Sequence, residues 1–275
     1  MKQLRSFLCG SPSRHDVSLK SVECGADVIL FDLEDSVPEG KKSAVRQQIL
    51  KQLKRKHPKP TAVRINGLES IYGFEDVLAL VTEQVAPDIV IIPKFVSVAH
   101  AAHIIELLKE HFPAIRVFSV VETIEGLRAL DRIANGCMLL DGLIFGSADF
   151  SYEMGIAPGT ADFRFAQAEI AWAAAAINGA AIDAPCFSMY DLEAVAEQCH
   201  VAKTLGYVGK IAIHPSQVGV LNRCFSLSPD ELTFAQSVMN NDTPDHDDKT
   251  ISRVGSNMVG PPIRKLARKL LKLSQ

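Results

Sequence analysis

Eight short apolar runs recur at a fairly steady interval along the chain, and this recurrence limits its fold more than any other feature does. The runs are SFLCG (6–10), ADVILFDLE (26–34), TAVRIN (61–66), DIVIIPK (88–94), RVFSVVE (116–122), GLIFGSAD (142–149), AAIDAPCF (180–187) and KIAIH (210–214). Their continuous apolar character, rich in Val and Ile, is that of strands buried on both faces. Helical periodicity fills most of the intervals. Val98, Ala101, Ala102, Ile105 and Leu108 fall at helical spacing in 97–111, and 166–178 and 191–205 behave alike. Strand–helix alternation repeated eight times predicts a (β/α)8 TIM barrel rather than an open doubly wound sheet. A barrel of ~250 residues fits within the 275 residues present. No repeated sequence motif accompanies the architectural repeat. Asp76 is expected to cap or open a helix before Val77–Leu80, and Gly179 and Gly206 to stop helices.

The pattern changes after the eighth run. Residues 1–225 are expected to form the barrel, and 226–275 a C-terminal helical extension. Ser228-Pro229-Asp230-Glu231 is a helix start, with a serine cap, a proline at the first position and acids in the first turn. That helix should run to about Asn240. A polar, acidic connector (241–249) and a turn-rich loop (255–262) follow. A basic amphipathic helix closes the chain, with Ile263, Leu266, Ala267, Leu270 and Leu271 on one face, expected to dock on its own barrel or on a sister subunit.

Composition excludes several classes. Lys+Arg number 29 and Asp+Glu 32, a net charge of −3, which argues against nucleic acid as the main partner. No apolar stretch approaches the ~20 residues that span a bilayer. The opening MKQLRSFLCG lacks the apolar stretch of a secretory signal, so a cytoplasmic protein is expected. The six cysteines (9, 24, 137, 186, 199 and 224) form no C-x-x-C pair and are expected as buried free thiols.

In a barrel, the C-terminal ends of the strands converge on one mouth, where catalytic groups sit. The runs end in Asp32-Leu33-Glu34-Asp35, Arg64 with Asn66, Pro93-Lys94, Glu122-Thr123, Ser147-Ala148-Asp149 and His214-Pro215. Glu122 and Asp149 come from adjacent runs. Two carboxylates without a His or Cys cluster suit a hard cation such as Mg²⁺, whose other positions go to water and substrate oxygens. The alternative is that both acids pair with Arg64 and Lys94. A two-carboxylate glycosidase is a competing enzyme reading, less attractive with one Trp and four Tyr to stack on sugars. His214 is read as a rim histidine orienting the turn before Pro215, or else as a general base. His100 and His103 are read as a solvated helix face, and 51–59 as an exposed helix end. Arg14 and Lys20 offer positive charge beside the turn Gly10–Ser13, without P-loop spacing.

The ordered set of motifs resembles the citrate lyase β-subunit-like family, which includes malyl-CoA and citramalyl-CoA lyases of the HpcH/HpaI aldolase superfamily. The matching stretches are DVILFDLEDSV (27–37) followed by Lys41-Lys42, VRING (63–67), IVIIPK (89–94), VVETIEGL (120–127), GLIFGSADFSYEMG (142–155), LGYVGKIAIHPSQV (205–218) and FSLSPDEL (225–232). The resemblance implies a Mg²⁺-dependent lyase that cleaves a 3-hydroxyacyl-CoA, citramalyl-CoA or malyl-CoA, to acetyl-CoA and pyruvate or glyoxylate. Alternatives are a malyl-CoA-type thioesterase, a citryl-thioester lyase subunit, or a CoA-ester-binding subunit without turnover. The resemblance also implies that Glu122 and Asp149 hold the metal and that Arg64 and Glu122 act on the substrate. Asp32, Glu34 and Asp35 would form an acidic floor in the substrate site. It further implies a homotrimer or homohexamer. The family's opening turn, of V-P-G type, is Leu8–Pro12 here, so the CoA contacts of 11–14 depart from the pattern. Family tails often carry G-x-M-I-D-x-P, whose aspartate assists proton transfer in a neighbouring site. Gly260 stands in its place, with Asp245, Asp247 and Asp248 upstream.

Overall fold

The computed structural model describes residues 3–10, 17–94, 98–132, 139–157, 161–240, 251–254 and 257–273. The turn 11–14, Cys137, the three connector aspartates and residues 255–256 lie outside the described residues. Leu4–Phe225 form one compact unit, and the described residues from Ser226 onward form another with Gln3.

Within Leu4–Phe225, eight parallel strands close into a barrel in sequence order. They are β1 (Ser6–Gly10), β2 (Val28–Asp32), β3 (Thr61–Arg64), β4 (Ile89–Ile92), β5 (Arg116–Val121), β6 (Gly142–Phe145), β7 (Ala180–Asp183) and β8 (Gly209–Ala212). Helices intervene: α1 (Val17–Glu23), α2 (Lys42–Leu53), α3 (Ile71–Thr82), α4 (Val98–His111), α5 (Ile124–Arg128), α6 (Ser147–Glu153), α7 (Arg164–Ala176), α8 (Leu192–Leu205) and α9 (Pro215–Phe225). The TIM barrel read from the alternating pattern is therefore present. No helix among the described residues is long and apolar enough to cross a membrane.

Side chains alternate across each strand, and here they sort into two cores. Phe7, Val28, Leu30, Ala62, Ile89, Ile91, Phe118, Val120, Ile144, Ala180, Ile182 and Ile211 form a cluster with members from all eight strands and fill the barrel. The intervening residues, such as Ile29, Phe31, Val63, Val90 and Leu143, pack with helix residues Ile49, Val77, Leu80, Ile105 and Ile170. Both faces are buried, which is why the runs read as uninterrupted apolar sequence rather than as alternation.

The opposite end of the barrel carries a device that the sequence reading did not recognise. Asp27, Asp88 and Asp141 each stand one residue before an even-numbered strand. Each carboxylate accepts an N–H from the start of the preceding odd-numbered strand: Arg5 N at 3.0 Å, Thr61 N at 2.8 Å and Val117 N at 2.9 Å. The same clamp thus recurs before β2, β4 and β6, while Val208 stands before β8.

Helix ends follow local chemistry. Ser70 Oγ caps α3 by accepting from Gly73 N, and Asp191 caps α8 by accepting from Ala194 N. Gly206 ends α8 at φ +104°, a conformation open to glycine without steric cost. Three expectations are corrected. Asp76 does not open a helix; it is buried within α3, whose cap is Ser70. The left-handed residue after α7 is Asn178 (φ +54°), not Gly179. β6 stops at Phe145, so Asp149 lies in the first turn of α6 rather than at a strand end.

The second unit contains α10 (Pro229–Asn240), the antiparallel pair β9 (Ser252–Val254) and β10 (Asn257–Val259), and α11 (Pro261–Leu273). Ser228 and Glu231 form a reciprocal capping box: Glu231 N donates to Ser228 Oγ at 3.1 Å, and Ser228 N to Glu231 Oε2 at 2.7 Å. Ala235 and Val238 of α10 bury against Val259 and Ala267, with Ile263, Leu270 and Leu271 packed alongside. Leu266 departs from the predicted face and is half exposed.

Candidate active site

The two-residue period that fills the barrel also builds its mouth. Two residues beyond the inward-facing Leu30, Ala62, Val120 and Ile144 come Asp32, Arg64, Glu122 and Gly146. Asp32 and Arg64 stand opposite each other in the β2–β3 register. The guanidinium meets the carboxylate as a two-pronged fork, Nε to Oδ1 at 2.7 Å and Nη2 to Oδ2 at 2.8 Å. Asp32 also accepts from Glu34 N and Ser36 N. Burial opposes its charge, yet the Arg64 hydrogen bonds hold its carboxyl below the ordinary value. This leaves Arg64 Nη1 directed at Glu34 Oε2 (3.0 Å) and Asp35 Oδ2 (3.4 Å). The predicted floor of Asp32, Glu34 and Asp35 therefore gathers around Arg64.

Lys94, at the end of β4, has a left-handed backbone (φ +50°), unusual for a residue with a Cβ. Its N–H donates to Glu122 Oε1 at 2.6 Å, while its ammonium lies 3.5 Å from Glu34 Oε1. Burial, with the nearby charge of Asp149, lifts the Glu122 carboxyl to about 7 despite that N–H. Among the described residues no Lys or Arg side chain pairs with Glu122 or Asp149; the cations serve the floor instead.

Gly146 explains how Glu122 fits. A Cβ at 146 would lie 2.4 Å from Glu122 Cβ and 2.7 Å from its Oε2, so the glycine leaves the space that the carboxylate occupies. The sequence signal was the glycine itself, at the inward position after the sixth run. A second group supports the floor from behind. Lys42 Nζ donates to the carbonyls of Leu33 (3.1 Å) and Glu34 (3.0 Å) and to Asn66 Oδ1. Asp76 takes the Asn66 N–H and amide and the Arg46 guanidinium. These residues fix the backbone of the acidic turn. Its signal was the polar pair Asn66 and Asp76 beside apolar positions.

The donor set suits magnesium. Among the described residues no three His, Cys, Asp or Glu side chains gather as a metal cluster. Glu122 and Asp149 are hard oxygen donors that no Lys or Arg among the described residues pairs with. Mg²⁺ is commonly held by one or two carboxylates, with water and substrate completing its shell. His214 lies elsewhere on the rim. Its Nδ1 sits 2.7 Å from Ser216 Oγ and accepts from Ser216 N, and its ring meets Tyr190 edge-on, so it orients the start of α9. His103, 90% exposed, faces solvent. Cys9 lies near Asp32 and Arg64, and burial pushes its thiol up to about 12, which makes it a poor nucleophile. A separate cavity of about 600 Å³, lined by Phe145, Gln167, Asp183, Phe187 and Lys210 among others, touches none of the mouth acids.

The chain resembles known proteins over the same region. Residues 5–215 match the family described as HpcH/HpaI aldolase/citrate lyase. An L-malyl-CoA/beta-methylmalyl-CoA lyase of Rhodobacter capsulatus is 31% identical, over 86% of this chain and 83% of the relative. The crystal structure of RipC from Yersinia pestis is 33% identical with a TM-score of 0.71, covering 84% of this chain and 99% of that one. The CitE protein of Mycobacterium tuberculosis, solved with magnesium, acetoacetate and coenzyme A, is 26% identical with a TM-score of 0.76, covering 98% of each chain. On the match from Arg5 to Pro215 and the barrel that carries it, the chain belongs to the HpcH/HpaI aldolase/citrate lyase family and is a lyase.

Proposed function

We propose that this lyase is Mg²⁺-dependent and cleaves a 3-hydroxyacyl-CoA, citramalyl-CoA or malyl-CoA, to acetyl-CoA and the corresponding 2-keto acid. The observation that carries this reading is the division of charge at the mouth: Arg64 and Lys94 are held by the floor, while Glu122 and Asp149 keep oxygens for a cation. Those two carboxylates would hold the metal, which when bound supplies positive charge to the oxygens of the substrate's keto-acid half. The names of the relatives support a CoA thioester as substrate.

The residues present suit carbon–carbon cleavage. Breaking the bond leaves negative charge on the thioester oxygen of the acetyl-CoA fragment. Arg64 is the guanidinium placed to offset it, and Asp32 fixes its plane. Such preorganised donors stabilise developing charge without reorganising during reaction. Glu122 is oriented by the Lys94 N–H and by the gap at Gly146.

The test uses purified protein and Mg²⁺ with malyl-, citramalyl- and citryl-CoA. Appearance of keto acid with acetyl-CoA is expected from one of the first two. Release of free thiol without keto acid would instead identify a thioesterase, and binding without product a subunit that lacks turnover.

A further inference from the structure

Glu34 is the unusual acid of the mouth. It is 6% exposed, yet neither carboxylate oxygen accepts a hydrogen bond from any described residue. Arg64 Nη1 and Lys94 Nζ approach it as charges, at 3.0 and 3.5 Å, without hydrogen-bond alignment. A buried carboxylate normally collects donors, because leaving one unsatisfied costs its desolvation. The other acids are engaged or differ in setting. Asp32 accepts four hydrogen bonds and stays ionised. Asp35 is 58% exposed. Glu122 takes the Lys94 N–H and, with Asp149, is assigned to the metal. Glu34 alone among these is enclosed, unsatisfied and fixed in place, its own carbonyl being held by Lys42.

We propose that Glu34 is the proton-transfer residue of this site, taking the proton of the substrate's hydroxyl and returning it to carbon. The inference rests on the lyase reading above. In the cleavage direction, a Glu34 oxygen accepts the hydroxyl proton. The oxygen's electron pair forms the C=O of the keto acid, and the pair of the carbon–carbon bond moves into the thioester enolate. The proton on Glu34 then passes to the enolate carbon, which becomes the methyl group of acetyl-CoA, and the carboxylate is restored. Atoms and charge balance without a further reactant.

The surroundings suit a group that must both accept and release a proton. Burial lifts the Glu34 carboxyl to about 8. Arg64 from β3 and Lys94 from the end of β4 pull it down, while Glu122 from β5 and its neighbour Asp35 push it up. A proton-transfer group works best when its value lies near the working pH.

The experiment compares wild type, Glu34→Gln and Glu34→Asp with the thioester that wild type cleaves. Glu34→Gln is expected to lower kcat by about 10²–10⁴, the usual worth of general acid–base catalysis, while KM changes little. Its residual rate should lose the dependence on pH that a titrating base contributes. It should also lose exchange of acetyl-CoA methyl protons with D2O, followed by NMR with Mg²⁺ and keto acid present. Glu34→Asp should recover part of both. Calorimetric binding of Mg²⁺ and a single cooperative melting transition show that the Gln variant is folded. A Gln variant that keeps near-native kcat, methyl exchange or pH profile overturns the proposal. A wild type that cleaves none of the three thioesters overturns the lyase reading, and this inference with it.

Discussion

Arg64 is held through Nε and Nη2 by Asp32, so its third nitrogen is the one left to meet the mouth. A lysine keeps the charge but cannot hold Asp32 with two atoms and present a third. Arg64→Lys is therefore expected to lower kcat/KM by roughly 10²–10³, the usual effect of removing one electrostatic donor. Near-native kcat/KM in that variant would make the arginine a structural partner of the floor. Glu34 gives a second expectation, in metal-free protein. Its carboxyl is raised from 4.5 to about 8 in the fold. A raised acid contributes its stability in full below the unfolded value and loses it as pH climbs through the folded value. Glu34→Gln should match wild type near pH 4 and become the more stable of the two by pH 8, by at most on the order of 5 kcal/mol. Urea unfolding in EDTA at fixed pH measures the gap; a gap that shrinks as pH rises would contradict it. At this scale the sequence was informative where chemistry ends a strand. Asp32, Arg64 and Glu122 stand at inward positions countable from Leu30, Ala62 and Val120. The left-handed turn of Lys94 left no trace, because no glycine announces it.

At the scale of elements, strand cores were legible and their ends were not. The sixth run was expected to extend to Asp149, yet β6 stops at Phe145. The reason is Gly146, which occupies the inward position and also turns the chain into α6. That turn carries Asp149 in the first turn of a helix, where a carboxylate is favoured by the helix dipole. Gly146→Ala would push a methyl group against Glu122 and Val120 Cγ1. We expect Mg²⁺ affinity, measured calorimetrically, to fall by at least about tenfold, in line with changes to residues that orient metal ligands. The overall fold should persist in circular dichroism. Unchanged affinity would show that Glu122 moves aside freely or does not bind the metal. The aspartate clamps at 27, 88 and 141 escaped notice because a single Asp before a strand looks like ordinary turn chemistry. Only the register shows that each spans to the preceding strand.

At the scale of the whole molecule, the expectation still to be tested is assembly. The apolar face of α11, expected to dock on its own barrel or on a sister subunit, is used within its own unit: Ala267, Ile263, Leu270 and Leu271 pack on α10. What remains outward is smaller: Ile251 at 63% exposure, Met258 at 71% and Leu266 at 49%. If the chain forms a trimer or hexamer through its tail, these side chains are the apolar contacts available to it. Removing only the residues after Asn240 would strip the cover from Ala235 and Val238, so the cleaner truncation follows Phe225, at the limit of the barrel unit. That variant keeps Arg64, Glu122 and Asp149 and should still bind Mg²⁺, while sedimentation should show smaller assemblies than the full chain. Position 260 provides the complementary measurement. A Cβ there meets nothing closer than 3.8 Å, so Gly260→Asp fits without strain. If Glu34 moves the proton, an acid at 260 is redundant, and kcat should rise by less than about tenfold, well short of what a missing general base returns. A larger rise would mean that proton transfer had been limiting and that the tail reaches an active site.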